Sequence, residues 1–150
     1  MQIARGRFRQ VDFNALKDFA MPHWTALVTL LAVAVYFWAD LRVGMARGKY
    51  KIKAPAISGD PDFERIFRSH QNMLEWMPIF LPSLWLFAFT LSDRWAALVG
   101  LVWIGGRVLY LVTYAQDAAK RGRGFAIQAS AAGILFAGAL SGVVRAIVAG

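Results

Sequence analysis

The 150-residue chain contains no cysteine. A disulfide framework and a thiol nucleophile of the protein's own are therefore excluded, and any thiol chemistry has to use a thiol brought by a ligand. Its two histidines, His23 and His70, lie far apart in sequence with no further ligands at metal spacing, so no metal is expected. Charge is scarce as well: 17% of residues are charged, 17 basic against 9 acidic, for a net charge of +8. Those charges cluster between apolar runs, which ties the basicity to membrane topology, anionic lipid or an anionic ligand and leaves nucleic acid an unexpected partner. With 58% hydrophobic residues the chain is too apolar for a soluble domain of its size. An all-α, integral membrane fold is expected.

Four apolar stretches are long enough to span a bilayer, at about residues 23–43, 62–90, 95–119 and 125–148. No tandem repeat or soluble second unit interrupts them, so residues 1–150 are expected to form one domain, a four-helix bundle. Residues 1–19 interleave Arg5, Arg7, Arg9 and Lys17 with Phe8, Val11, Phe13, Leu16 and Phe19, the pattern of an interfacial amphipathic segment or of a poorly ordered basic tail. The first span should stop near Asp40, Arg42 and Gly44, giving way to a basic loop, ARGKYKIK at 46–53. Asp60 before Pro61 supplies an N-cap and a favoured first helical residue. Pro78 and Pro82 lie inside the second helix, where a kink just after Glu75 is expected. A basic, glycine-containing break at 120–124 is expected before the last helix, and Gly138 with Gly142 in that helix forms a GxxxG suited to close helix packing, including contact between copies.

The second helix carries ions into a bilayer-length segment. Arg68, Asn72 and Glu75 fall at i, i+4 and i+7 and share one face. A charge at membrane depth costs roughly 2.5 to 3.5 kcal/mol on insertion scales, so such groups should face a protein interior or a wet pocket. Arg107, Tyr110, Tyr114 and Arg121 form a second stripe at the same end of the bundle. Together these groups suit a zwitterionic, carboxylate-bearing ligand such as a peptide, with guanidiniums for carboxylates, Glu75 for an ammonium and Asn72 for amides. Two other possibilities stand beside this one. Arg68, Glu75 and Arg107 can form an internal ion-pair network that only holds the bundle together, or Glu75 can be the coupling carboxylate of a small four-helix transporter. Loops 1 and 3 hold most of the basic residues and should be cytoplasmic, although the basic N-terminal segment argues the other way.

The motif FERIFRSHQNMLEWMPIFLPSLW at 63–85, with RVLYLVTYAQDAAKR at 107–121, resembles the MAPEG family, membrane-associated proteins in eicosanoid and glutathione metabolism, and most of all its leukotriene-C synthase and microsomal glutathione transferase branch. The resemblance implies a homotrimer with sites between subunits, so that residues of one site can come from different chains. It implies glutathione as co-substrate, bound by Arg47, Arg68, His70, Asn72, Glu75, Trp76, Tyr110 and Tyr114, with Arg121 as the catalytic residue that stabilises the thiolate. His70 and Trp76 stand where the synthase members have Gln and Tyr, and Gly48 where they have a second arginine, which leaves the lipophilic substrate open. The implied activity is that of a glutathione transferase or peroxidase acting on lipophilic electrophiles or lipid hydroperoxides, in a bacterial inner membrane or, in a eukaryote, the endoplasmic reticulum. A non-catalytic lipid-binding member of the same fold is the alternative within the family.

Overall fold

The computed structural model describes residues 21–150, so the basic segment at 1–19 lies outside the described residues. Four long helices follow one another: α1 (His23–Tyr50), α2 (Pro61–Thr90), α3 (Asp93–Gln116) and α4 (Gly122–Ala149), with a short 3-10 turn (Ala118–Arg121) leading into α4. All four regions are long and apolar enough to cross a membrane. Large apolar side chains such as Leu30, Phe37, Leu101, Phe136 and Ile147 stay exposed on their outer faces. That distribution fits an integral, multi-pass membrane protein, in which the surroundings rather than the core absorb much of the apolar surface.

The helix ends show how local chemistry set the boundaries. Asp60 caps α2 as expected, accepting from the N–H groups of Asp62 and Phe63 at 2.9 and 3.2 Å, with Pro61 in the first turn. Ser92 caps α3 through the Trp95 N–H. The N-cap residue of α1, Pro22, makes no side-chain cap bond; the carboxylate of Asp93, the first residue of α3, accepts from the N–H groups of Trp24 and Thr25 at 3.1 and 2.8 Å. The α1 and α3 N-termini are thus tied at one end of the bundle.

Two expectations about boundaries are corrected, and a third, close packing through the GxxxG, is met within the chain. First, α1 does not stop near Val43 but continues through Arg47 and Lys49 to Tyr50, where Lys51 turns left-handed and donates its N–H to the Arg47 carbonyl. Ala, Arg and Lys favour helix, and the basic side chains complement the negative end of the dipole. Second, the break between the last two helices comes at Asp117, not at the glycines: Asp117 is extended and its carboxylate accepts from the Ala119 N–H, starting the 3-10 turn. Gly124 is instead a packing residue, because a Cβ there would lie 2.4 Å from the Tyr110 nitrogen, and one at Gly106 would lie 2.7 Å from the Gln128 nitrogen. Third, the GxxxG face of α4 is spent inside the chain. A Cβ at Gly138 would meet the Phe87 ring at 2.3 Å and one at Gly142 the Thr90 hydroxyl at 2.1 Å, so this face seats α4 on the end of α2 and is not open to a second copy.

The main helix contacts all involve α2 or α3. Phe80 of α2 and Trp103 of α3 stack face to face at 3.8 Å in the centre, surrounded by Met73, Leu84, Leu111 and Leu135. Between helices in lipid, such packing and a few polar contacts supply the cohesion that water supplies elsewhere. The Trp85 indole N–H, which donates to the Thr29 hydroxyl at 3.0 Å, is one of those contacts. The α2 helix runs without interruption through Pro78 and Pro82.

Candidate functional site

The i, i+4, i+7 face of α2 forms as its spacing predicts. Arg68 donates to Glu75 Oε1 at 2.9 Å and the Asn72 amide donates to Glu75 Oε2 at 3.3 Å. Both members of the ion pair are 52% exposed, on a helix long enough to cross the bilayer. The oxygen of Asn72 is taken from the other side by Arg107 of α3, whose guanidinium donates to it at 2.9 Å. Arg107 is completely buried. Its cationic centre lies 5.2, 5.3 and 5.9 Å from the rings of Tyr110, Trp103 and Trp76, within range of the attraction between a cation and an aromatic face.

Tyr110 and Tyr114, one turn apart on α3, stack with ring centres 5.4 Å apart. Over the outer ring, that of Tyr114, sits the Arg121 guanidinium at 5.5 Å. Arg121 reaches this position by a route other than the expected one. It does not continue the α3 stripe, because α3 ends at Gln116; the turn at Asp117 folds the chain back so that Arg121 lies in the first turn of the final helical segment and donates to the Ala118 carbonyl at 2.8 Å. A cation there meets the positive end of the helix dipole instead of the negative end. Among the described residues no carboxylate pairs with it.

Arg68, Asn72, Tyr110, Tyr114, Arg121, Gly122 and Phe125 line one open cavity of about 430 Å³. Residues of α2 and α3 therefore meet within a single chain. The cavity offers two guanidiniums, one of them without an acidic partner among the described residues, together with an amide and two phenols, and Glu75 is paired with Arg68. It is equipped to hold an anion. Farther along the same α2/α4 seam, Pro78, Pro82, Leu86, Phe136 and Leu140 border an apolar groove of about 410 Å³.

Other expected residues lie elsewhere in the chain. Arg47 donates to the Ala56 carbonyl at 2.8 Å and covers the rings of Phe63 and Phe67, bracing the connection between α1 and α2. His70 faces α1, stacked on Tyr36 at 5.1 Å with Nε2 3.7 Å from the Asp40 carboxylate. Neither lines the cavity. Trp76 stands one layer behind it, edge-on to Phe125 at 5.7 Å. Phe125 and Gly122 had no polar signature to mark them, and their only sequence clue is adjacency to Arg121. Among the described residues no group of three or more His, Asp or Glu is placed to hold a metal ion.

Residues 25–141 match the MAPEG family. An uncharacterized protein of Synechocystis sp. is 45% identical over 121 residues, covering 81% of this chain and 88% of that protein. Microsomal glutathione S-transferase 2 of Homo sapiens is 43% identical over 100 residues, 67% of this chain and 68% of that one. Leukotriene C4 synthase of Bos taurus is 38% identical over 96 residues, 64% of each chain.

Proposed function

Because the chain belongs to the MAPEG family, we propose that it is a membrane-embedded glutathione transferase, which ionises the glutathione thiol beside Arg121 and delivers the thiolate to a lipophilic electrophile. The observation that carries this assignment is the Arg121 guanidinium, which has no carboxylate partner among the described residues, in the same cavity as Arg68, Asn72 and both tyrosines. Arg68 supplies a bidentate partner for a ligand carboxylate, Glu75 an acceptor for an ammonium, and the Tyr110 and Tyr114 hydroxyls donors for oxygen or sulfur.

The chemistry follows from the fixed charge. A free thiol has a pKa of about 8.5, and a nearby guanidinium favours the anion, each unit of lowering corresponding to about 1.4 kcal/mol. The start of the helix behind Arg121 adds a positive end of the same sign. The thiol proton leaves to water at the open mouth of the cavity; the sulfur electron pair then forms the bond to the electrophilic carbon, whose leaving group or opened ring takes the electrons. The apolar α2/α4 groove supports a co-substrate that arrives through the lipid.

A homotrimer completes the assignment. A half-exposed Arg68–Glu75 pair facing acyl chains is costly, and a neighbouring copy placed against it removes that cost. Arg47, which lies outside its own chain's cavity, would serve the neighbour's by exchanging its Ala56 contact for the ligand, whereas the buried ring nitrogens of His70 keep it within its own chain. Loops 1 and 3, with Lys51, Lys53, Lys120 and Arg121, face the cytoplasm. The decisive measurement is ultraviolet thiolate absorbance during titration of the purified protein with glutathione at neutral pH. A saturable thiolate signal that disappears in Arg121→Ala is expected; saturable binding with no thiolate signal would overturn the proposed activation.

A further inference from the structure

Arg107 is fully enclosed by the bundle and boxed by the rings of Trp76, Trp103 and Tyr110. One of its terminal nitrogens donates to Asn72 Oδ1, while Nε and the other nitrogen are buried with no hydrogen-bond partner among the described residues. An enclosed cation with so few hydrogen bonds is expensive to keep. Its geometry accomplishes one specific thing. A guanidinium donates and never accepts, so the Asn72 amide must turn its oxygen inward, and its nitrogen is thereby directed outward, toward Glu75 and the cavity. An isolated amide can offer either end to a ligand; an amide backed by Arg107 offers only donors.

We propose that Arg107 is a positioning residue: it locks Asn72 as a hydrogen-bond donor to an acceptor oxygen of the ligand, a peptide carbonyl or a carboxylate. Through Asn72 and Glu75 it also steadies Arg68 at the cavity wall, completing the chain Arg107, Asn72, Glu75, Arg68. Arg107 does not line the cavity and touches no reacting atom. The inference rests on the glutathione assignment and specifies how that site selects an oxygen-rich ligand.

The test is a double-mutant cycle on glutathione affinity, measured by calorimetry on the full-length protein in detergent. Arg107→Met and Asn72→Ala are each expected to weaken binding about tenfold, the scale of one hydrogen bond. The double variant should lose about the same tenfold, because both changes remove one device. Losses that multiply to about a hundredfold, the behaviour of independent sites, would overturn the inference. So would an Arg107→Met protein that binds as the unmodified chain does. Should Arg107→Met fail to assemble, Asn72→Asp still gives Arg107 an oxygen but replaces the outward donor with a second oxygen. It should lose affinity at least as much as Asn72→Ala does, since its outward oxygen also faces the Glu75 carboxylate, and normal affinity in Asn72→Asp would overturn the inference. If the unmodified protein shows no saturable glutathione binding, the glutathione assignment itself falls, and this inference with it. Multiplicative loss in a protein that binds glutathione counts against Arg107 alone.

Discussion

Arg68 and Glu75, two turns apart on α2, are joined at 2.9 Å while half of each side chain remains open. The pair is satisfied within the chain and still half-open, so under the proposed glutathione reading a zwitterion would exchange the internal partners for its own carboxylate and ammonium. Arg68→Ala is expected to weaken glutathione binding by roughly 1.5 to 3 kcal/mol, the range for a charge-assisted hydrogen bond. Calorimetry showing unchanged affinity would return the pair to a role in holding the bundle together.

Arg121→Ala separates binding from activation. Affinity for glutathione should stay within a few fold, while turnover falls because less of the bound thiol is ionised. The sign follows from charge: the guanidinium lowers the thiol pKa, so thiolate persists above that lowered value and is lost as the pH falls through it. Without Arg121 the titration moves up toward the ordinary thiol value of about 8.5. The variant's rate and its thiolate absorbance should therefore recover together as the pH is raised. A folded variant with a normal thiolate signal at neutral pH would make Tyr110 or Tyr114 the activating group.

Gly142→Ala tests the internal use of the GxxxG face. The added carbon would sit 2.1 Å from the Thr90 hydroxyl. Overpacking of this kind typically costs about 1 to 3 kcal/mol, so the thermal midpoint should fall while any oligomer that survives keeps its size. A variant of undiminished stability that dissociates into monomers would show that this face joins copies.

Mixed oligomers test the trimer and the division of its sites. Co-assembled Arg47→Ala and Arg121→Ala chains should recover part of the activity that each lacks, since Arg47 does not reach its own chain's cavity. Co-assembled Arg68→Ala and Arg121→Ala chains should recover no more than unmixed sites allow, because those two residues line one cavity of one chain. Rescue in the second mixture and not in the first would reverse the assignment.

Much of this molecule was legible from its residues. Apolar composition and span length defined the class, Asp60 before Pro61 marked the start of α2, and the 3.6-residue period put Arg68, Asn72 and Glu75 on one face, where they are found bonded to one another. These are local properties: insertion, capping and periodicity depend on neighbours a few residues away. What depends on contacts between helices could not be read in that way. Gly124 and the Gly138/Gly142 pair have the same composition whether they break a helix, join two copies or seat α4 inside its own chain, and only the positions of Tyr110, Phe87 and Thr90 decide between these roles. Arg121 joins Tyr110 and Tyr114 at one cavity, but not along the expected stripe, because Asp117 ends α3 and the turn that follows brings the guanidinium over Tyr114. His70 turns away from the cavity because a side chain two residues from Arg68 on a helix points to the opposite side, and Arg47 lies outside it because it sits near the end of α1, bonded to the Ala56 carbonyl of the following connection. The orientation of the Asn72 amide belongs to tertiary structure alone, since it is determined by a donor thirty-five residues away that the fold encloses beside it.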